Sequence, residues 1–136
     1  MPNPEQITQT MMEKDFFSQW LGISVISTGK GVCKLQLTVR QDMLNGFGIA
    51  HGGITYCLAD SALAFASNSY GNQAVSIETS ISHVAKVLEG DVLTALATEM
   101  SRGNKIAVYD ILITNQNQKK VGLFKGTVFI TDKKWE

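Results

Sequence analysis

The sequence predicts an α+β fold in which a curved antiparallel sheet of five to six strands wraps around one long central helix. The helix is expected over about residues 52–70, where apolar side chains occupy nearly every helical face, as in a buried helix. Segments on both sides of it alternate apolar and polar residues, which is typical of antiparallel strands with one face in the core. Since one helix cannot cover such a sheet, we expect a second subunit to cover the rest.

Length and charge limit the classes of function. A chain of 136 residues fits one domain, residues 1–136, with its own core. Twelve basic residues balance twelve acidic ones, so the basic surface of a nucleic-acid binder is not expected. We find no signal peptide and no run of ~20 apolar residues that would span a bilayer. These features predict a cytoplasmic protein with neither a nucleic-acid nor a membrane partner.

The cysteines and histidines are too few and too scattered for a metal site. Cys33 and Cys57 form no CxxC pair, and with two histidines they match no zinc-ligand spacing. We therefore expect no metal. Both cysteines are predicted to be reduced thiols that pack as small apolar groups.

The N-terminal segment has the signals of a helix start. Asn3 is a candidate N-cap, Pro4 suits the first helical position, and Gln6 can complete a capping box. Apolar residues then recur at roughly helical spacing up to Trp20, and Gly22 ends the pattern. These signals predict one helix over about 4–20.

Strands are predicted on both sides of the central helix. A short strand over 23–27 and a turn over 28–31 precede a segment over 33–40 with clean alternation. Beyond Gly71 the period is two again. One face of this next strand is expected to carry Val75, Ile77, Thr79, Ile81, His83, Ala85 and Val87.

The C-terminal half continues as an antiparallel meander. Three strands are predicted near 92–101, 105–115 and 120–131, because turn-rich segments separate runs of strand-forming residues. The last five residues, DKKWE, carry no strand pattern. The sheet is therefore expected to end near residue 131.

The sequence His51-Gly52-Gly53 stands at the predicted start of the central helix. The first N–H groups of a helix lack internal acceptors and carry the positive end of the helix dipole. Glycine lets a ligand oxygen approach the backbone there. The turn is thus a candidate oxyanion hole for a carbonyl oxygen that gains negative charge during a reaction. The alternative is that both glycines only let the helix pack closely on the sheet.

Asp60 is the only formally charged residue between Asp42 and Glu78. Its apolar sequence neighbours remove water from the carboxylate, which is costly. Such desolvation raises the pKa of a carboxyl group towards the range of a general base. The alternative is a structural aspartate that is hydrogen-bonded to a buried serine or to backbone. We favour a catalytic carboxylate, because burying a charge costs free energy and a role in catalysis would explain why the residue is kept there.

The spacing of these two features predicts a shared site. Gly52 and Asp60 are separated by about 12 Å along a helix that rises ~1.5 Å per residue. One substrate carbonyl cannot contact both in the same subunit, because a catalytic contact is about 3 Å. A two-fold pair of antiparallel central helices would bring Gly52 of one chain next to Asp60 of the other. A catalytic role for both therefore predicts a dimer with two interfacial sites.

Together the residues form the pattern N-G-x4-H-G-G-x6-D, which spans Asn45 to Asp60. This pattern resembles the acyl-CoA thioesterases of the hot-dog fold, and in particular the phenylacetic-acid-degradation (phenylacetyl-CoA) thioesterases. The likeness covers most of the chain: MLNG at 43–46, LAD at 58–60, NSYG at 68–71, GDVLTA at 90–95 and VYDI at 108–111.

The resemblance implies an activity and an assembly. The expected reaction is hydrolysis of a small aryl or arylacetyl-CoA, within phenylacetate degradation, to a free acid and CoA. No cofactor is implied, because coenzyme A is part of the substrate. The family is usually a homotetramer built as a dimer of dimers.

The resemblance also implies roles for single residues. Asp60 matches the catalytic carboxylate, which acts as a base on water or as a nucleophile on the thioester. Gly52 matches the backbone N–H that polarises the carbonyl, and Asn45 and His51 match polar residues that shape that end of the site. Ser76 falls where related enzymes place a hydroxyl that holds water near the carboxylate.

Two departures from the family pattern concern substrate binding. Phe47 stands where some relatives have histidine, which is expected to alter the acyl pocket. Relatives often end the strand after the helix with a basic residue and proline, whereas this chain has the sequence 83–86 HVAK, with Lys86 shifted by one position. CoA carries phosphates, so Arg102 and Lys105 in the turn SRGNK are further candidates to bind them.

Two other functions remain open at this stage. A hydratase or dehydratase on an enoyl- or hydroxyacyl-thioester needs a proton shuttle, which His51 and Asp60 can supply. A non-catalytic acyl-CoA-sensing module would bind a CoA ester without turnover and would leave Asp60 without a task. Hydrolysis of an acyl-CoA thioester distinguishes the thioesterase from both of these.

Overall fold

The computed structural model describes residues 2–136 and confirms the predicted architecture of an antiparallel sheet around a central helix. The helices are α1 Pro4–Lys14, α2 Phe16–Leu21 and α3 Gly52–Ser67. The strands are β1 Ser24–Gly29, β2 Val32–Thr38, β3 Asn72–His83, β4 Val92–Arg102, β5 Ile106–Thr114 and β6 Lys120–Lys134. Their order in the sheet is β1-β2-β4-β5-β6-β3, with every neighbouring pair antiparallel. β1 and β3 are therefore the two edges.

The core lies between α3 and one face of the sheet, which we call the inner face. Alternate residues of β2, β4 and β5 are buried there, as the period-two pattern predicts. α3 buries one side against them, chiefly through Leu58, Ala59, Ala62, Leu63, Phe65 and Ala66. No helix within residues 2–136 combines the length and the apolar character needed to cross a bilayer.

The prediction of one N-terminal helix over about 4–20 is wrong, although its start is correct. Asn3 accepts a hydrogen bond from the Gln6 N–H at 2.8 Å, and the Gln6 side chain accepts one from the Asn3 N–H at 2.9 Å. Asp15 then interrupts the helix with a non-helical backbone and caps α2 by accepting from the Ser18 N–H at 3.0 Å. Aspartate competes for backbone donors in this way, which favours a cap over a helix interior.

The predicted faces of β3 are also wrong in part. The pairing of β3 with β6 is regular from Ala74 to Ser76 and shifts between Ser76 and Glu78, which is a β-bulge. Directly paired residues share a face of the sheet. Val75, opposite Phe129, thus lies on the outer face, while Ser76, opposite the buried Val128, lies on the inner face. Beyond the bulge, the predicted row that includes His83 lies on the inner face.

The ends of α3 and β6 differ from expectation, and Asn68 takes part in both. α3 stops at Ser67 because Asn68 caps it, donating from its side chain to the carbonyl oxygens of Ala64 and Ala74. The tail that has no strand pattern nevertheless extends β6 to Lys134, and the indole N–H of Trp135 donates to the Asn68 side chain at 2.9 Å. The cap by Asn68 is local, whereas the Trp135–Asn68 bond joins residues far apart in sequence, so local patterns do not reveal it.

α3 approaches the sheet most closely at Gly126 of β6. A methyl group added at Gly126 would lie 2.9 Å from Cδ1 of Leu63 and closer still to its Cδ2. Leu63 is fully buried in α3, so it has no free space into which to move. This contact sets the height of the helix above the sheet.

We predict that Gly126→Ala lowers the free energy of unfolding by about 1–3 kcal/mol, because it overpacks this contact. The double variant Gly126→Ala/Leu63→Ala should be less destabilised than the sum of the two single variants. Urea denaturation measures both. Gly46→Ala is the control, since a methyl group at Gly46 meets open space. Additive effects at Gly126 and Leu63 would contradict the prediction.

Candidate active site

The N-terminus of α3 is capped by His51. The backbone of His51 is extended, and its Nδ1 accepts a hydrogen bond from the Gly53 N–H at 2.9 Å. Nδ1 is therefore unprotonated and the ring proton resides on Nε2. The backbone of this turn is itself held, because the His51 N–H donates to the Met43 carbonyl and the Ala50 N–H to the Val87 carbonyl, both at 2.8 Å.

The capping leaves the Gly52 N–H as the free donor of the first turn. The Gly53 N–H bonds to the His51 ring, and the Ile54 N–H bonds to the His51 carbonyl. No group within residues 2–136 accepts from the Gly52 N–H. This donor stands at the positive end of the helix dipole. It can therefore bind a carbonyl oxygen that gains negative charge.

His83 belongs to this end of the helix, and sequence reasoning did not assign it there. Its Nε2 lies 3.1 Å from the position that a Cβ on Gly52 would occupy, so the imidazole covers the glycine. The ring reaches this position because the bulge in β3 and the pairing of His83 with Gly122 put it on the inner face. The one signal in the sequence was an ionisable residue in a row that otherwise holds threonine and apolar residues.

Asn45 orders the loop that leads to His51. Its Oδ1 accepts from the Phe47 N–H at 2.9 Å and from the Ile49 N–H at 3.4 Å, and its own N–H donates to the Ile49 carbonyl. Phe47 stands at the tip of this loop with 90% of its surface exposed. Asn45 thus shapes the approach to the α3 N-terminus through the backbone of the loop.

Asp60 lies on the side of α3 that faces away from the sheet. This partly exposed stripe comprises Gly53, Cys57, Asp60 and Ala64. Among residues 2–136, none donates a hydrogen bond to the Asp60 carboxylate, and the adjacent Ser61 hydroxyl bonds to Ser18 instead. The structural alternative, a carboxylate satisfied by a buried serine, is therefore not what the chain contains.

Burial and nearby charge both change the pKa values of the ionisable groups in this stripe, Asp60 and Cys57. Burial raises the pKa of the Asp60 carboxyl, and the negative charge of Asp15 raises it further. Burial likewise raises the pKa of the Cys57 thiol, with a smaller contribution from Asp60. Cys57 is consequently a thiol rather than a thiolate near neutral pH, and the ionisable group suited to act as a base here is Asp60.

Ser76 and Asp60 are on the same side of the sheet but on different elements. Ser76 is exposed because β3 is an edge strand, yet its register puts it on the inner face. α3 contacts β3 beyond the bulge, where the Tyr56 hydroxyl hydrogen-bonds to Thr79 and the Tyr56 ring packs edge-on against Phe124 of β6. This flank of α3 is the one directed to the free edge of the sheet.

The structure thus groups the predicted site residues into two sets. His51, Gly52 and the unpredicted His83 meet at the α3 N-terminus, with the Asn45 loop beside them. Asp60 follows two helical turns later, about 12 Å away. Within one chain the two sets cannot contact the same carbonyl group.

The three basic candidates occupy different places. Lys86 is exposed in the loop after β3, next to Val87, whose carbonyl accepts from Ala50 near the α3 N-terminus. Lys105 is exposed in the turn between β4 and β5. Arg102 lies beyond the other end of α3, where its guanidinium stacks on the Tyr70 ring at 3.8 Å and is 3.6 Å from the Glu99 carboxylate. Of the three, Lys86 is in the loop that contacts the turn before α3.

A shallow apolar depression of about 310 Å³ adjoins the α3 N-terminus. Phe17 of α2 forms one wall, and Ile54 and Cys57 of α3 form another, next to His51 and Gly53. A larger groove of about 680 Å³ runs between α1 and β1, but it contains none of the candidate residues. The smaller depression is lined by His51 and Gly53, the two sequence neighbours of Gly52.

Comparison with known proteins agrees with this geometry. The model of the thioesterase superfamily matches residues 47–121. The acyl-coenzyme A thioesterase PaaI of Escherichia coli is 42% identical over 121 residues, which cover 89% of this chain and 86% of that protein.

Two solved structures extend the likeness to three dimensions. The E. coli PaaI protein from the phenylacetic acid degradation operon superposes with a TM-score of 0.94 at 39% identity, covering 96% of this chain and 95% of that chain. A hypothetical thioesterase of Streptococcus pneumoniae with coenzyme A superposes with a TM-score of 0.86 at 26% identity, covering 92% and 99%. This chain therefore belongs to the thioesterase superfamily, has the hot-dog fold, and is a thioester hydrolase similar to PaaI.

Proposed function

We propose that the protein hydrolyses a small aryl or arylacetyl-CoA, such as phenylacetyl-CoA, to the free acid and CoA, using Asp60 and the Gly52 N–H. One observation carries the proposal: a half-buried carboxylate without a hydrogen-bond donor shares a helix with a free N–H at its positive end. The names of similar proteins support an acyl-CoA substrate, since PaaI is an acyl-coenzyme A thioesterase and the pneumococcal structure holds coenzyme A.

The chemistry follows from the two groups. The thioester carbonyl oxygen accepts a hydrogen bond from the Gly52 N–H, which stabilises the negative charge of the tetrahedral intermediate. Asp60 takes a proton from the water that attacks the carbonyl carbon. The carbon–sulfur bond then breaks and the CoA thiolate leaves and is protonated. In the nucleophilic variant Asp60 itself attacks, and water hydrolyses the resulting mixed anhydride. Neither route uses a cofactor or a metal.

Because the two groups of one chain are too far apart, the site is proposed to form between two subunits. β3 is an edge strand with unpaired backbone groups, and Val75 and Ile77 on it are more than half exposed. Pairing of two β3 edges about a two-fold axis would set two α3 helices antiparallel, with Gly52 of one near Asp60 of the other. Ser76 would then lie at this interface, where its hydroxyl can hold water.

A second apolar surface supports a dimer of dimers. The outer face of the sheet carries two rows of apolar side chains that are paired across the strands. Most of these side chains are more than a third exposed, and exposed patches of this kind mark protein interfaces. The rows are Val75, Phe129 and Ile106, and Leu96, Leu112 and Leu123.

We propose that the acyl group and the CoA moiety of the substrate bind at different parts of the protein surface. The depression between Phe17 and Cys57 is lined by His51 and Gly53, on either side of Gly52 in sequence, and has the apolar side chains that an aromatic acyl group requires. Lys86 is the basic residue proposed to meet a CoA phosphate first, with Arg102 and Lys105 as further candidates. The two free cysteines fit the reducing cytoplasm that we propose as its location.

The hydratase and sensor functions are less well supported. A hydratase would need the His51 imidazole as a proton shuttle, but its Nδ1 is occupied as the helix cap. A sensor would bind CoA esters without turnover, and nothing in the site then requires the unpaired Asp60 carboxylate. Thioester hydrolysis uses both groups as they stand.

We predict that Asp60→Asn lowers kcat/KM by about 100-fold or more, because the variant keeps the shape of the side chain and removes the base. The measurement is thiol release from phenylacetyl-, hydroxyphenylacetyl-, benzoyl- and short straight-chain acyl-CoA. Aryl thioesters should be the better substrates of the unmodified protein. Full activity in Asp60→Asn, or no hydrolysis of any thioester by the unmodified protein, would refute the proposal.

Gly52→Pro should lower kcat by roughly 100- to 1,000-fold, the effect expected when one oxyanion donor is lost. Proline suits the first position of a helix, and the extended backbone of His51 suits the residue before proline. Gly52→Ala is the matched control, since it adds a Cβ against His83 but keeps the N–H. Equal activities for the two variants would show that contact with His83, rather than the donor, accounts for the loss.

Mixing the two inactive variants tests the shared site. In a dimer of one Asp60→Asn chain and one Gly52→Pro chain, one site carries both substitutions and the other carries neither. Co-expression with random pairing should restore about a quarter of the unmodified activity, since half of the dimers each regain one site. Thiol release from the purified mixture measures this. No recovery, despite mixed dimers seen by mass spectrometry, would place each site within one chain.

A further inference from the structure

α2 and α3 are joined by a chain of polar contacts that ends next to Asp60. The Ser18 N–H and hydroxyl donate to the two carboxylate oxygens of Asp15, at 3.0 and 2.7 Å. The Ser18 oxygen is 2.8 Å from the Ser61 oxygen. Since the single hydroxyl proton of Ser18 goes to Asp15, Ser61 donates to Ser18. Ser61 follows Asp60 directly, so these hydrogen bonds link Asp15 to the residue next to Asp60.

We propose that Asp15 is a positioning residue for the Asp60 chemistry: the Ser18–Ser61 bridge fixes its carboxylate against α3, where its negative charge acts on Asp60. This inference rests on the proposed function of Asp60. It makes the N-terminal helices part of the catalytic apparatus, where the sequence pattern alone indicated only a helix.

The electrostatics of the neighbourhood agree with the geometry. The charge of Asp15 adds to burial in raising the pKa of Asp60, since two nearby carboxylates resist ionising together. From α3 itself, the Cys57 thiol is the other ionisable neighbour, and it is neutral near pH 7. The sheet side of α3 carries apolar residues. Across the proposed dimer, the His83 imidazole would face Asp60 as well, because it lies on Gly52.

A raised pKa has a defined consequence for the rate. Asp60 acts as a base only when ionised, so kcat/KM rises with pH as the carboxyl loses its proton. Removing the charge of Asp15 lowers the pKa of Asp60 towards its ordinary value. The half-maximal pH of the acidic limb should therefore move down. Above that limb the rate should fall, because a weaker base takes the proton of water less readily.

The decisive variant is Asp15→Asn. Asparagine caps a helix about as well as aspartate, so α2 should keep its cap while the charge is lost. Asp15→Ser, another capping residue without charge, is the second variant if the first fails to fold. Glu13→Gln is the matched control, because it removes an exposed carboxylate two residues away on the end of α1.

Two measurements on the full-length oligomer test the inference. The first is the pH profile of kcat/KM with phenylacetyl-CoA. The second is the titration of the Asp60 carboxyl carbon by ¹³C NMR, with the signal assigned by its loss in Asp60→Asn. We expect both midpoints to move to lower pH in Asp15→Asn and to stay in place in Glu13→Gln.

The outcomes separate this inference from the proposed function. Unchanged midpoints in Asp15→Asn, while Asp60→Asn abolishes hydrolysis, would overturn the role of Asp15 and leave the proposed function intact. If Asp60→Asn keeps full activity, the proposed function fails. The NMR titration then still decides whether Asp15 acts on Asp60, since it does not depend on turnover. Equal displacement by Glu13→Gln would also overturn the inference, because it would reflect general charge.

Discussion

The close packing of α3 on the sheet is the constraint on which the rest of the structure depends. A helix that is apolar on most faces must bury them, and here it does so on a sheet with a glycine, Gly126, directly beneath Leu63. Because both are fully enclosed by neighbours, α3 cannot rise or turn without opening a void in the core. The direction of its N-terminus and the stripe of residues left in contact with solvent are set by this packing.

That rigid placement gives α3 two chemically distinct regions. Its first turn presents one free backbone donor at Gly52, since His51 occupies the next N–H. Its outer stripe presents Asp60, where burial is sufficient to raise the pKa of the carboxyl but does not enclose it. A donor fixed in a helix terminus needs no reorganisation when charge develops on a substrate oxygen, which is why such positions suit catalysis of acyl transfer.

The proposed dimer follows from the length of the helix. Two groups on one rigid helix about 12 Å apart cannot converge on one atom, whereas two antiparallel copies bring them together twice. The free β3 edge, with Val75 and Ile77 exposed, would be covered by the same association. Stability and chemistry would then depend on one interface, and α2 would close the outer side of the site through Ser18 and Ser61.

The sequence by itself determined the fold class, the course of α3 and most strand positions, because these rest on local periodicity and on Asn3, Gly22 and the other caps and turns. It also singled out Gly52, a glycine at the start of the helix, and Asp60, the one charged residue in a long apolar segment. Only the tertiary structure decided that a bulge near Ile77 leaves Ser76 and His83 on the inner face and that Trp135 binds Asn68 at the end of α3. It also decided that Asp15 is linked through Ser18 to Ser61, the residue after Asp60. Each of these features depends on contacts between residues that are distant in the chain. Whether such contacts form depends on the entropy lost when the chain between them is closed and on the packing energy gained, and a local sequence pattern contains neither quantity.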